Sequence, residues 1–166
     1  MTRHPKERSS KGQGNDRPAR LADFLPYQLS IASNAVSERI AAAYRSRFGL
    51  KVPEWRVMAV LGDADRGQDG ATQRDLSALT LMDKVAVNRA CKVLEERGLA
   101  ERRPHARDGR SHHLALTEAG RALHDEIMPL AAQLEARLLE GFEESELVLM
   151  RNLLARLRDR AGEMEG

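Results

Sequence analysis

Four side chains in the stretch Met82–Gly98 carry groups that suit a nucleic acid: Lys84, Asn88, Arg89 and Lys92. An amide and a guanidinium can each make two hydrogen bonds to a base edge, and an ammonium pairs with phosphate as a point charge. Their spacing, with Val85, places Asn88, Arg89 and Lys92 on one side of a helix. Val87, Ala90, Cys91 and Leu94 fall at i, i+3, i+4 and i+7 on the opposite, apolar side. Asp83 is placed to cap the first turn, Met82 and Val87 have the spacing of a hydrophobic staple, and Gly98 ends the helix. A helix with one dry and one basic, amide-bearing face is a candidate for the DNA major groove. A charged face alone would equally be a solvated surface, so its flanks decide the reading.

The other reactive groups point nowhere so definite. Cys91 lies on the apolar stripe, where burial keeps a thiol protonated, and is read as core rather than as an oxidant sensor. His112 and His113 are adjacent, so on a strand they face opposite ways and cannot hold one ion together. His105 and His124 add no metal-ligand spacing. The loop Asp63–Gly70 has the composition of a calcium loop but not its acidic spacing. No nucleophile elbow, zinc-protease, P-loop or dinucleotide motif occurs. Neither an enzyme, a metal site nor a cofactor is expected.

Composition narrows the elements that must position the basic face. With aromatics at 4% of 166 residues, the core must come from Leu, Ala and Val, which favours helices. No apolar run reaches a membrane span, and the basic N-terminus lacks the apolar stretch of a signal peptide. One cysteine excludes an intrachain disulfide, in keeping with a reducing cytoplasm. The net charge of +2 is unevenly spread. Residues 72–116 hold nine Lys/Arg against six acids, and residues 117–166 hold six against eleven. Basic charge thus collects around the candidate helix, as a phosphate footprint requires.

Along the chain, residues 1–22 read as a disordered basic tail. Leu25, Leu29, Ala32, Val36, Ile40, Ala43 and Tyr44 predict a first helix over about Phe24–Arg47, ended near Gly49. Pro53 suits the first position of a second helix, whose apolar side is Trp55, Met58, Ala59 and Leu61 and which stops before Asp63. Thr72 caps a short third helix to about Leu79, with Leu76 and Leu79 facing in. Thr80-Leu81-Met82 is a tight turn into the candidate helix, and two helices so joined form a helix-turn-helix. After Gly98, Leu99–Arg103 reads as extended, Asp108-Gly109 as a hairpin turn, and Ser111–Leu116 as the return strand with Leu114 and Leu116 on one side. Arg107 and Arg110 stand at the tip of this two-stranded wing. Thr117 caps a long helix through Leu123, Ile127, Leu130, Leu134 and Leu138, which Pro129 should bend or restart. A last helix over about Glu144–Arg160 carries Leu147, Met150, Leu153, Leu154 and Leu157.

From Leu25 to Leu157 the chain resembles the MarR family of bacterial transcription regulators. The resemblance rests on linked pieces: Pro53-Glu54-Trp55-Arg56-Val57, Gln73-Arg74-Asp75-Leu76, Met82-Asp83-Lys84, Leu94–Leu99, Asp108-Gly109-Arg110 and Leu116–Arg121. It implies a mainly α winged helix-turn-helix fold with six helices and a small β-wing. Residues 23–48 and 118–162 would be dimerisation helices, and residues 52–117 the DNA-binding lobe. The terminal helices carry more apolar positions than a lone module could cover, which independently asks for a partner chain. An isologous homodimer would set two equal reading heads on a palindromic operator.

Carried over residue by residue, Lys84, Asn88, Arg89 and Lys92 would face the major groove, with Asn88 and Arg89 at base edges and Lys84 at phosphate. Arg74 and Arg107 would join the contact, and Arg110 would reach the minor groove or its phosphates, held by Asp108. The chain departs from many relatives in having Ala86 and Asn88 where they carry hydroxyl residues, so their operators do not transfer. The family's effector pocket would fall on Tyr27, Ser30, Asn34, Arg39, Tyr44, Trp55 and Met58, although plain core suits Trp55 and Met58 as well. The first-helix segment looks like the branch controlling aromatic-acid catabolism, which implies a phenolic acid or its coenzyme A thioester as effector. The expectation is a cytoplasmic, ligand-released regulator, a repressor in function. The alternatives are a redox-responsive repressor acting through Cys91 and a winged-helix module that binds protein.

Overall fold

The computed structural model describes residues 20–64, 70–104 and 112–164. A single 3-10 turn at Leu21–Asp23 precedes α1 (Leu25–Phe48), α2 (Val52–Ala64), α3 (Gln73–Thr80) and α4 (Lys84–Glu96). Two strands follow, β1 (Ala100–Pro104) and β2 (His112–Leu116), then α5 (Glu118–Leu138) and α6 (Glu144–Glu163). The expected tail as far as residue 19, the middle of the 63–70 loop, His105, and the wing residues Arg107, Asp108 and Arg110 lie outside the described residues.

By its contacts the chain divides into two units, Met1–Ala35 and Val36–Gly166. In the first, Phe24, Leu25, Tyr27 and Ile31 are exposed around the start of α1. In the second, Leu50, Val57, Met58, Leu61, Leu76, Val87, Leu94, Leu116 and Ile127 are buried in one aliphatic core. The strands pair antiparallel, Ala100 opposite Leu116 and Pro104 opposite His112. Ala71 adds a one-residue bridge on the other side of β2, exchanging both backbone hydrogen bonds with Leu114 at 2.8 and 2.9 Å. That bridge ties the entry of α3 to the wing.

Several helix ends follow from local chemistry. The Thr72 hydroxyl accepts from Asp75 N at 3.2 Å, and Asp75 Oδ2 accepts from Thr72 N at 3.0 Å, a complete capping box. The hydroxyl and backbone N–H of Thr72 hold the Asp75 carboxyl below the usual Asp range. Asp83 Oδ1 accepts from Ala86 N at 2.8 Å and starts α4. Leu99 N donates to Leu94 O and Gly98 N to Glu95 O, both at 2.9 Å, with Gly98 at φ +67°. These two bonds are the Schellman closure that a C-terminal glycine permits.

The structure corrects or sharpens five details of the expected elements. α2 begins at Val52, so Pro53 is its second residue, still inside the first turn where no N–H is required. It also runs past Asp63 to Ala64. Leu79 is 66% exposed rather than inward, because it sits in the last turn of α3 beside the reversal at Leu81. Leu81 takes the left-handed conformation at φ 52°, and Thr80 Oγ1 braces it, donating to Leu76 O at 2.6 Å and accepting from Met82 N at 3.3 Å. On β2, Ala115 is buried as well as Leu114 and Leu116, since α2 and α5 both pack on this strand. α5 passes through Pro129 as one helix.

Thr117 joins the wing to α5. Its Oγ1 accepts from Gly120 N at 3.0 Å and donates to Gly98 O at 2.7 Å, while its N–H donates to Leu99 O at 3.1 Å. A Cβ on Gly120 would run into that same Leu99 carbonyl. Gly120→Ala should therefore destabilise the fold by about 2 kcal/mol or more, because backbone rather than a pliable side chain must move. Thermal unfolding beside Ala119→Gly, a change on the exposed side of the same turn, checks it. Because alanine is the better helix former, an unchanged or raised midpoint in Gly120→Ala would show that the close approach costs nothing, whereas Ala119→Gly should lose only the roughly 1 kcal/mol of helix propensity.

Candidate nucleic-acid interface

α4 displays the expected division. Val87, Ala90, Cys91 and Leu94 are all buried, whereas Lys84, Val85, Asn88, Arg89 and Lys92 are exposed. α3 lies against α4 and presents Gln73 and Arg74 to solvent at its first turn. Lys92 Nζ lies 3.6 Å from Glu96 Oε1, an exposed i,i+4 pair of a kind worth little in water and readily exchanged for phosphate.

Contacts without local sequence signals organise the rest. Gln73 Nε2 donates to Asn88 Oδ1 at 3.2 Å across the helix-turn-helix. Arg97 donates to Phe48 O at 2.8 Å and Gly49 O at 3.2 Å, satisfying carbonyls at the end of α1 and pinning the exit of α4 to it. Arg102 Nε donates to Glu95 Oε1 at 2.6 Å, and Arg103 pairs with Glu101 at 2.7 Å, so both basic residues of β1 are tied to neighbours. Only Arg97 has a sequence clue, since a cation near a helix end can serve exposed carbonyls. Which helix end it serves is a matter of tertiary structure.

Of the residues expected to hold an effector, Tyr27, Ser30 and Asn34 are exposed on α1 in the first unit. In the second unit Arg39 is exposed, Met58 is fully buried in the core, and the Tyr44 ring lies 5.6 Å from that of Trp55. Trp55 in turn stacks on buried His124, with 5.8 Å between ring centres. His124 Nδ1 lies 3.0 Å from Asp125 Oδ1. The sequence carries no signal for this role of His124, because its partner Trp55 is distant in the chain. Among the described residues no three potential metal ligands stand together, and no helix is long and apolar enough to cross a membrane.

A capped helix, a tight turn, a second helix with a bare polar face and a two-stranded hairpin define a winged helix-turn-helix protein. The family model described as MarR family matches residues 48–111. A MarR/EmrR family transcriptional regulator from Acinetobacter sp. ADP1 is 30% identical, with 87% of this chain and 99% of that chain covered at a TM-score of 0.78. The CouR protein of Rhodococcus jostii RHA1, solved bound to p-coumaroyl-CoA, is 28% identical, covering 84% and 95% of the two chains at a TM-score of 0.73. An uncharacterised HTH-type transcriptional regulator of Bacillus subtilis, YdgJ, is 26% identical over 87% of each chain. The chain belongs to the MarR family of transcriptional regulators.

Cys91 is 1% exposed, and burial, reinforced by the nearby Glu95 carboxylate, pushes its thiol up to about 11. At pH 8 only about one thiol in a thousand would be ionised, and the thiolate is the reactive form. Native protein should therefore react with a disulfide reagent only after denaturation, and peroxide should leave DNA binding unchanged. Stoichiometric labelling of the folded chain within minutes at pH 8 would contradict this.

Proposed function

We propose that the chain is a homodimeric, DNA-binding transcriptional regulator, a repressor released from a palindromic operator by a small ligand. The observation that carries it is the exposed α4 face of Lys84, Asn88, Arg89 and Lys92, backed by a fully buried stripe. Asn88 and Arg89 read base edges, while Lys84, Lys92 and Arg74 hold phosphate. Arg107 and Arg110, with Asp108 as support, extend the contact from the wing into the adjacent groove.

Residues 23–48 and 118–162 serve as the dimerisation helices around the lobe at 52–117. This is supported by apolar side chains that one copy leaves uncovered, notably Leu149, Leu153 and Leu154 on α6, each about half exposed. The effector is an aromatic acid or its coenzyme A thioester, a reading supported by similarity to a protein solved with p-coumaroyl-CoA. Such a ligand releases DNA only by binding the non-operator conformation of the dimer more tightly. The setting is the bacterial cytoplasm.

Binding to duplexes from the chain's own upstream region, followed by anisotropy across a salt series, tests the first part. Arg89→Ala should cost about 1–3 kcal/mol and relax preference at one base pair per half-site. Lys84→Ala should weaken all sequences alike and lower the salt slope by about one unit for each phosphate it ceases to neutralise. Wild-type protein that retards no duplex at low salt would point instead to a protein-binding module. For the assembly, sedimentation of wild type should give a dimer, and Leu149→Arg with Leu153→Arg should give a monomer or an aggregate. A monomeric wild type refutes the dimer. A rise in thermal midpoint with aromatic acids or their coenzyme A esters, absent with aliphatic acids, would support the effector class.

A further inference from the structure

Resting on the DNA-binding reading above, we infer that Gln73 is a positioning residue that sets which base Asn88 selects. Gln73 is the first residue of α3 and Asn88 stands on the exposed face of α4. The Gln73 amide donates to Asn88 Oδ1 at 3.2 Å, and both side chains are solvent-exposed. The capping box of Thr72 and Asp75 and the Ala71–Leu114 bridge fix the backbone beneath Gln73, so its side chain starts from an anchored position, and its amide nitrogen is the end turned to Asn88.

The chemical consequence follows from the shape of an amide. A primary amide offers an acceptor oxygen and a two-hydrogen donor nitrogen, directed about 120° apart. With Oδ1 turned toward Gln73, Asn88 offers the groove its Nδ2 donors. Guanine presents two acceptors there, N7 and O6, whereas adenine presents one acceptor and one donor. An asparagine left to rotate would bond adenine through both groups. Held by Gln73, it favours guanine at the base pair it reads.

Position-by-position binding of randomised duplexes by wild type, Asn88→Ala, Gln73→Ala, Gln73→Glu and the double alanine variant tests this. The position read by Asn88 is the one whose preference disappears in Asn88→Ala. Wild type should prefer guanine there. Gln73→Ala should lose about fivefold or more of the guanine-over-adenine preference, as the freed amide becomes able to pair with adenine. Gln73→Glu supplies an acceptor instead of a donor, so the Asn88 amide turns over and presents its oxygen. Preference should then move toward adenine or cytosine, whose exocyclic amines donate, while the added charge weakens all duplexes equally. In the Asn88→Ala background, Gln73→Ala should have no further effect on preference.

A merely structural role for Gln73 would change affinity or melting temperature without reversing a base preference. An unchanged preference in both Gln73 variants overturns the inference, as does a Gln73→Ala loss of equal size with and without Asn88, which would mean Gln73 touches DNA itself. An Asn88→Ala variant with an unaltered profile overturns it too. In each of these cases wild type still binds duplex. Failure of wild type to bind any duplex is the separate result that removes the DNA-binding reading as well.

Discussion

The direction in which the chain leaves α4 governs how the basic face is held, and backbone hydrogen bonds around Leu99 set it. Leu99 donates to Leu94 and so closes the helix, while its own carbonyl accepts from Thr117 at the foot of α5. The Thr117 hydroxyl spans the same gap to Gly98 O, and Gly120 leaves the room that lets α5 come so close. One residue earlier, Arg97 forks onto the last carbonyls of α1. Three consecutive residues therefore join the end of α1, the end of α4, the root of the wing and the start of α5. The backbone bonds of Leu99 have little slack, so a shift of the start of α5 must either break them or carry the end of α4 with it, while the Arg97 side chain holds the end of α1 more loosely.

Local chemistry explains which parts of this were legible in the sequence. The caps at Thr72, Asp83 and Thr117 and the glycine at 98 act within one turn of chain, and their residue types announce them. The buried stripe of α4 was equally plain, because helical period and apolar residues coincide. The bonds that orient the face were not. Gln73 with Asn88 and Arg97 with Phe48 and Gly49 join segments whose spacing in sequence has no period, and a polar residue on a helix surface has many possible partners. Leu79 misled for a related reason. An apolar side chain three residues after a buried one usually faces the core, but here the helix ends and the chain reverses before a neighbour can cover it.

Charge pairing sorts the basic residues of the lobe by use. Arg102 and Arg103 are turned onto Glu95 and Glu101, which removes two cations of β1 from the field directed at a ligand. Exposed ion pairs of this kind add little stability, so their effect is directional. Among the described residues the exposed cations left to this region are then Arg74 of α3 and those of α4, where Lys92 meets its acidic neighbour at a loose 3.6 Å. The amide of Asn88 and the guanidinium of Arg89 sit in the middle of the α4 face.

α6 poses the remaining physical problem. It runs from Glu144 to Glu163 without burying a single residue within the chain, although Val148, Leu149, Leu153, Leu154 and Leu157 are all apolar. Helices in water owe most of their order to packing of an apolar face, and an isolated one is marginal even with strong helix formers. The Glu143–Glu146 contact at its start and scattered surface ion pairs are too weak to replace that packing. The acidic balance of the last third argues against covering this surface with a membrane or a nucleic acid, both of which are anionic. A second copy supplies an apolar surface of the same kind by symmetry. On the proposed reading, the helices that complete the fold would therefore be the same ones that set the distance between the two recognition helices. A ligand acting on those helices would then need no separate device to reach the DNA-binding face.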